Sequence, residues 1–276
     1  MKFKNTSLFI LFIVFSTAIY AQKKIIVLAT NDTHSRIEAL PFTDKYTPGM
    51  GGVEARAAFI DEVRKQNSHV LLFDAGDFVQ GTPYFNLFHG RVEAKAMNLM
   101  KYDAATLGNH EFDYGLDTLK MIIEKLDFPI VNCNYDFSNT VLKDRVKPYV
   151  ILKKNGLKIG VFGVGVDPEG LIQKSRYGDM VFKPVESSVN FYSKILKESK
   201  KCDLVICLSH IGYADDIKLA EQSKYIDIII GGHSHTYMEK PDIRKNAEGK
   251  DVIIFQTGKN GAYINKFEVE FEKRSK

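Results

Sequence analysis

The chain has 276 residues, 45% of them hydrophobic and 26% charged, which is the composition of an ordinary globular protein. Its formal net charge is +4. This charge is too small for a protein that binds nucleic acid polymers or anionic membrane surfaces through charge alone. Because no internal repeat, low-complexity tract or linker divides the sequence, we expect one large domain.

The N-terminal residues have the layout of a secretory signal peptide. Two lysines precede the apolar residues 8–15, and small, weakly polar residues follow as far as Ala21. The apolar run is shorter than the roughly 18 residues that a membrane-spanning helix needs, which favours cleavage over the alternative of an uncleaved anchor. We therefore expect a signal peptide over 1–21, a mature domain over 22–276, a periplasmic or secreted location and no stable membrane anchor.

Apolar runs of strand length recur along the chain. Their near-continuous apolarity predicts strands that are buried on both faces. In chain order they cover residues 25–29, 70–73, 104–107, 129–133, 159–164, 204–208, 226–230 and 252–256. Three cysteines, Cys133, Cys202 and Cys207, lie in or beside such runs, which favours buried free thiols over the alternative of a disulfide.

Helical spacing occurs between some of the predicted strands. Apolar residues at 53, 57, 60 and 63 predict an amphipathic helix. A second helix is expected around 189–196, with Ser187 and Ser188 as candidate N-caps. Strict alternation over 265–271 predicts a half-exposed, antiparallel strand. The alternation of strands and helices indicates a layered α/β domain with mixed sheets.

Five of the predicted strands are followed by short turns that carry Asp, Asn or His. Five of the seven histidines lie in these turns. Ligands of open α/β sheets bind at the carboxyl ends of strands, so we expect the turns to meet at one rim. Imidazole combined with carboxylate and amide oxygens suits Zn, Mn or similar ions better than Ca. The metal-capable residues are Asp32, His34, Asp77, Asn109, His110, His210, His233 and His235.

Each turn alone is weak evidence. A single Asp-x-His or His-x-His is more often a surface turn or a buried structural histidine than a metal site. Asp74 is also an alternative to Asp77, because both acidic residues lie at the end of the same predicted strand. Five such turns in this order are much harder to attribute to coincidence.

The order of the turns resembles the calcineurin-like metallophosphoesterases. Gly108-Asn109-His110-Glu111-Phe112-Asp113, together with residues 231–235, resembles the 5'-nucleotidase branch, which includes bacterial periplasmic nucleotidases and UDP-sugar hydrolases. The resemblance extends from residue 25 to about 271. It implies a four-layer α/β/β/α sandwich with two mixed sheets, the metallophosphoesterase fold.

The resemblance also implies two divalent metal ions, which together activate a water for in-line attack on phosphorus. Asp77 would bridge the two ions. Many nucleotidases have Gln at the position of His235, which leaves the identity of the ions open. The first ion would be held by Asp32, His34, Asp77 and His235, and the second by Asp77, Asn109, His210 and His233.

Two further residues receive catalytic roles from the resemblance. His110 would stabilise the transition state and protonate or shield the leaving oxygen, and Asp113 would accept its ring N–H. The alternative for Asp113 is the N-cap of the following helix. Glu111 is expected to be structural rather than catalytic.

Full-length enzymes of this branch carry a second, C-terminal domain that recognises the nucleotide. This sequence ends at Lys276, 41 residues after His235, and we expect that domain to be absent. A separate polypeptide could supply it, the enzyme could act broadly on small phosphate esters, or the chain could be a truncated product. Residues 81–88 are a candidate contact for such a partner, and the alternative is that Phe85, Leu87 and Phe88 are ordinary core.

The N-terminal pattern and the resemblance together predict an exported, metal-dependent phosphoric ester hydrolase. Its expected substrates are nucleotides, and its expected role is nucleotide catabolism. The alternatives are a broad-specificity phosphatase or phosphodiesterase, a non-catalytic module that binds metal or phosphate, and a structural envelope protein without metal. His110 and Asp113 argue for the enzyme, because a binding module has no need of either residue.

Overall fold

The computed structural model describes residues 23–271. Its strands and helices alternate along most of the chain. In chain order they are β1 (Lys23–Thr30), α1 (Val53–Gln66), β2 (Val70–Asp74), α2 (Pro83–Phe88), α3 (Arg91–Met100), β3 (Ala104–Ala105), a 3-10 turn (His110–Phe112), α4 (Gly115–Ile123), β4 (Ile130–Val131), β5 (Tyr135–Asp136), β6 (Val146–Lys147), β7 (Tyr149–Lys154), β8 (Leu157–Gly165), α5 (Lys174–Tyr177), β9 (Val181–Phe182), α6 (Val185–Lys194), a π-helical turn (Ile195–Ser199), β10 (Leu204–His210), α7 (Tyr213–Gln222), β11 (Ile228–Gly231), β12 (Asp242–Lys245), β13 (Asp251–Phe255) and β14 (Asn265–Phe271).

Two six-stranded sheets form the body of the molecule. The first has the order β14-β1-β2-β3-β4-β6, and only β14 at its edge is antiparallel to its neighbour. The second has the order β12-β13-β11-β10-β8-β7, and its two edge strands, β12 and β7, are antiparallel to their neighbours. Strands β5 and β9 form a separate antiparallel pair. Both large sheets are therefore mixed, as predicted.

The two sheets pack face to face, and helices cover their outer faces. Val27 and Phe73 of the first sheet lie in one apolar cluster with Val161 and Ile206 of the second. Helices α1, α3 and α4 bury apolar side chains against the outer face of the first sheet. Helices α6 and α7 do the same on the second sheet. The result is the predicted four-layer α/β/β/α sandwich.

Burial on both faces explains the continuous apolarity of the central strands. In β1, Ile26 and Leu28 face the helices, whereas Ile25 and Val27 face the other sheet. Side chains alternate between the two faces of a strand, so both sets must be apolar. β14 has a different pattern because alternate residues along this edge strand are exposed. Its predicted bounds and antiparallel pairing are confirmed.

One helix boundary was predicted wrongly. Helix α6 begins at Val185 with Pro184 at its N-cap, so Ser187 and Ser188 lie within the helix. Proline is favoured at helix starts because its fixed φ already suits the helix. The predicted free thiols are confirmed, since Cys133, Cys202 and Cys207 are buried and unpaired.

The predicted signal peptide, residues 1–21, lies outside the described residues. Within residues 23–271, no helix combines the length and apolarity needed to span a bilayer.

Candidate metal centre

The five predicted turns meet where the carboxyl ends of the two sheets come together. Turns after β1, β2 and β3 come from the first sheet, and turns after β10 and β11 come from the second. All of the metal-capable side chains in these turns are at least partly buried. Those of Asp32, Asp77 and His210 are almost completely buried.

Asp32, His34 and His235 form one group of candidate ligands. Their ligand atoms all lie within 4.8 Å of one another. The Nε2 atoms of the two histidines are 2.9 Å apart, and Nε2 of His235 is 3.3 Å from Oδ1 of Asp32. Two imidazoles and one carboxylate that converge in this way are a suitable partial ligand set for a divalent transition metal.

A second group contains Asp32, Asp77 and His210, again with all ligand atoms within 4.8 Å of one another. Nε2 of His210 is 3.1 Å from Oδ2 of Asp77 and 4.0 Å from Oδ1 of Asp32. Asp32 is therefore the carboxylate common to both groups, whereas the family resemblance assigns the bridging role to Asp77.

His233 and Asn109 complete the set that the sequence predicted. Nδ1 of His233 is 2.9 Å from Oδ1 of Asn109. The rings of His233 and His210 have their centroids 5.3 Å apart, which places this pair beside the second group. All seven predicted ligand residues thus lie in one region.

His110 and Asp113 lie at the edge of this region. The ring centroids of His110 and His34 are 5.5 Å apart, and the backbone N–H of His110 donates to Oδ1 of Asp77 over 2.9 Å. Nδ1 of His110 is 3.0 Å from Oδ2 of Asp113. This hydrogen bond raises the pKa of His110. Tyr114, not Asp113, is the N-cap of α4, so the alternative role for Asp113 is wrong.

Burial and neighbouring charges shape the protonation of the histidines. Burial lowers the pKa of His34 and of His233, which favours the neutral imidazole that binds metal. Burial also acts to lower the pKa of His210, but its interactions with Asp77, Asp32 and the carbonyl of Ala75 together outweigh burial, and the pKa is raised. Nδ1 of His210 donates to the carbonyl of Ala75 over 2.7 Å and leaves Nε2 directed at the carboxylates.

Two further observations fit a pair of metal ions. Within residues 23–271, two buried histidine nitrogens make no hydrogen bond. They are Nδ1 of His34 and Nε2 of His210, which is directed at the carboxylate of Asp77 3.1 Å away. Residues other than glycine seldom adopt positive φ, and such strain concentrates at functional sites. Five of the seven candidate ligand residues adopt it: Asp32 (48°), His34 (47°), Asp77 (55°), His233 (72°) and His235 (54°).

Buried polar side chains behind the turns hold these strained conformations. Nδ2 of Asn31 donates to Oδ2 of Asp32 over 2.6 Å, and its Oδ1 accepts from the backbone N–H of Thr257 over 2.8 Å. The side chain of Gln256 accepts from the N–H of Thr236 and donates to the carbonyl of Gly232. These two contacts lie at either end of the turn that carries His233 and His235.

Two carboxyl groups support further turns. Ser35, which follows His34, donates from its hydroxyl to Glu93. The hydroxyl of Ser209, which precedes His210, donates to Asp216 over 2.5 Å. These supports could not be predicted from the sequence, because the partners are distant in the chain and carry no spacing signal.

Asp74 and residues 81–88 illustrate the alternatives that the sequence left open. Asp74 accepts from the hydroxyl of Thr30 over 2.6 Å and lies in neither ligand group. In residues 81–88, Phe85 is buried core, whereas Leu87 is 71% and Phe88 is 45% exposed. The core interpretation therefore holds for Phe85 and not for Leu87 or Phe88, and the partner contact stays a prediction.

The α/β/β/α sandwich carries two groups of imidazoles and carboxylates at its strand ends. This combination is typical of dinuclear metallohydrolases. Comparison with known proteins agrees, since residues 25–237 match the calcineurin-like phosphoesterase family. The chain belongs to this family. Calcineurin-like phosphoesterases are metal-dependent phosphoric ester hydrolases with two metal ions, which confirms the predicted class of enzyme and cofactor.

The names of several similar proteins describe the hydrolysis of nucleotides. The chain is 32% identical to the trifunctional nucleotide phosphoesterase protein YfkN of Bacillus subtilis (strain 168), over 90% of this chain and 18% of that protein. It is 31% identical to the snake venom 5'-nucleotidase of Crotalus adamanteus, over 90% of this chain and 45% of that protein. The solved 5'-nucleotidase precursor from Thermus thermophilus superimposes with a TM-score of 0.85 at 33% identity, over 91% of this chain and 52% of that one. The chain thus spans about half or less of the length of these relatives.

Proposed function

We propose that this protein hydrolyses the phosphate esters of nucleotides. The observation that carries the proposal is the convergence of five separate turns on one buried cluster of imidazoles and carboxylates, with His110 and Asp113 at its edge. The ions would be Zn, Mn or similar divalent metals. Their ligands would be Asp32, His34, Asp77, Asn109, His210, His233 and His235.

The chain's own residues would bind and orient the ester and move a proton. Two bound cations supply positive charge that stabilises the phosphoryl oxygens and lowers the pKa of the attacking water. The imidazole of His110 is about one-third exposed, so it is accessible to a substrate. Its hydrogen bond to Asp113 fixes the ring and supports the protonated form, which suits proton delivery to the leaving oxygen.

Nucleotides are the proposed substrate class because the similar proteins are named nucleotide phosphoesterase and 5'-nucleotidase. Those proteins are about twice as long as this chain or longer. Recognition of the nucleoside by a separate polypeptide is part of the proposal. The exposed side chains of Leu87 and Phe88 are a candidate contact for it.

Phosphate release from a nucleoside monophosphate and from an aryl phosphate, with added Mn or Zn, tests the proposal. Wild type should turn over both esters, and Asp77→Asn should lose most of that activity. Asp61→Asn on the exposed face of α1 is the matched control and should behave as wild type. The catalytic proposal is lost if wild type and Asp77→Asn are equally inert with every metal, with and without a partner domain. Tight nucleotide binding without hydrolysis would favour the non-catalytic module.

We also propose that the protein is exported to the periplasm or beyond the cell. The charged and apolar pattern of residues 1–21 supports this location. N-terminal sequencing of protein recovered from outside the cytoplasm should begin at Gln22. Recovery of the intact N-terminus only from the cytoplasm would contradict export.

A further inference from the structure

Glu111 makes an unusual set of hydrogen bonds next to the metal centre. Its side chain is only 1% exposed, and its carboxylate accepts from four backbone N–H groups. Oε2 accepts from Asp77 over 2.9 Å and from Gly108 over 2.5 Å. Oε1 accepts from Phe78 over 2.9 Å and from Val79 over 3.4 Å.

These donors have no place in a strand ladder. β2 ends at Asp74, and Asp77 has a φ of 55°. Three consecutive N–H groups, from Asp77 to Val79, point to one side and form a concave anion site of the kind called a nest. The group that fills it is the carboxyl group of Glu111 in the same protein. Without this carboxylate, buried donors would be left unpaired at considerable cost.

The contact joins two turns that each carry a candidate metal ligand. Glu111 belongs to the turn of Asn109 and holds the turn of Asp77. In return, Oδ1 of Asp77 accepts from the backbone N–H of His110 over 2.9 Å. The two turns are therefore connected in both directions.

We propose that Glu111 is a positioning residue that fixes the turns of Asp77 and Asn109 relative to each other before metal binds. The inference rests on the proposed function, because it takes Asp77 and Asn109 as metal ligands. Glu111 touches neither substrate nor metal and acts only through the backbone of its neighbours.

Substitution of Glu111 provides the test. In Glu111→Gln, the amide oxygen accepts from one pair of N–H groups while the amide nitrogen faces the other pair, so the link between the two turns is weakened. We expect the affinity for Mn²⁺, measured by calorimetry without substrate, to fall by about 10-fold to 100-fold. kcat should fall with little change in KM. Glu111→Asp keeps two acceptor oxygens and should recover part of the affinity, and the exposed Glu54→Gln on α1 is the control.

A purely structural role has a different outcome. Glu111→Gln would then lower the melting temperature of the metal-free protein, yet bind Mn²⁺ with wild-type affinity at a temperature where it is fully folded. That result would overturn the proposal. Because calorimetry does not need turnover, a wild-type protein that binds Mn²⁺ without hydrolysing any ester would refute the proposed function and leave this comparison valid.

Hydrogen exchange of the wild-type protein tests the proposal even if Glu111→Gln fails to fold. The amides of Asp77, Phe78 and Gly108 should be protected in the metal-free protein as strongly as those of β2. If these amides exchange freely and become protected only after Mn²⁺ is added, Glu111 does not organise the turns and the proposal is wrong.

Discussion

Asp74 and Asp113 are two carboxyl groups near the same rim whose surroundings give them different properties. Asp74 is completely buried, and burial raises its pKa to about 7, although hydrogen bonds from Thr30 and Gly76 act in the opposite direction. Asp113 is 37% exposed and lies beside His110. Sequence places both after buried strands, so only their burial and partners separate a structural role from a catalytic one.

The raised pKa of Asp74 predicts a specific pH dependence of stability. Between about pH 4 and pH 7 the folded protein keeps a proton on Asp74 that the unfolded chain has lost, so stability decreases as pH rises through this window. Asp74→Asn cannot ionise; its amide oxygen can accept from the N–H of Gly76, and its amide nitrogen can donate to the hydroxyl of Thr30. Its free energy of unfolding, relative to wild type, should therefore rise with pH by up to about 1.4 kcal/mol per unit.

Urea denaturation of the metal-free proteins at pH 5 and pH 8 measures this difference. Asp117→Asn, on an exposed position of α4, should give a profile parallel to that of wild type. A parallel profile for Asp74→Asn as well would mean that Asp74 is already ionised in the folded protein at pH 5.

Asp113→Asn should reduce kcat by about 10-fold or more, because an amide orients and charges the ring of His110 less well than a carboxylate. Metal content and melting temperature should stay close to wild type, since Asp113 is partly exposed and contacts no candidate ligand other than through His110. Steady-state kinetics with metal analysis on the same sample make the measurement. Unchanged kcat would remove Asp113 from the mechanism.

At the scale of strands and turns, the site depends on a close approach between the two sheets. Gly163 in β8 lies where a Cβ atom would be 2.1 Å from the carbonyl oxygen of Val131 and 2.3 Å from Oγ1 of Thr106. The carbonyl of Gly163 also accepts from the N–H of Cys133 over 2.7 Å. Only a glycine allows this backbone contact, which sets the separation of the sheets near the ligand-bearing turns.

Gly163→Ala should therefore destabilise the protein strongly. Overpacking of this kind typically costs about 1 to 3 kcal/mol, and contacts to backbone leave little room for relaxation. Gly249→Ala is the comparison, because its Cβ would meet nothing within 4 Å and only the positive φ of 76° opposes it. Thermal denaturation should show the larger loss for Gly163→Ala. Equal losses would mean that the sheets separate easily at this point.

Sequence patterns predict those elements whose environment is uniform along their length. Buried strands such as β1 and β10 have continuous apolar runs, and β14 has an alternating pattern. β7 was missed although Tyr149 to Leu152 form a short apolar run, and β12 was missed because its four residues, Asp242–Lys245, contain a single apolar side chain. The ligand residues were predictable because turns after strands concentrate them. Support residues such as Glu93 and Gln256 were not, because only the fold brings them to their partners.

At the scale of the whole molecule, the candidate metal centre joins the two halves of the sandwich. The first sheet contributes Asp32 and Asp77, and the second contributes His210 and His235. Side-chain contacts such as that between His210 and Asp77 cross this boundary. Metal ions held by ligands from both sheets would therefore stabilise the packing of one sheet on the other.

Metal binding should consequently raise the melting temperature. At a free metal concentration of about 100 times the dissociation constant, the folded state gains about 2.7 kcal/mol, which corresponds to roughly 5 to 10 °C for a protein of this size. Asp77→Asn and His210→Ala remove ligands from different sheets, and each should reduce the shift substantially, because either change removes a ligand of the second group. If instead the substitutions in the first sheet remove the shift and those in the second do not, the metal ions are bound by one sheet alone and do not join the two. Thermal melts with and without a chelator, on wild type and both variants, distinguish these outcomes.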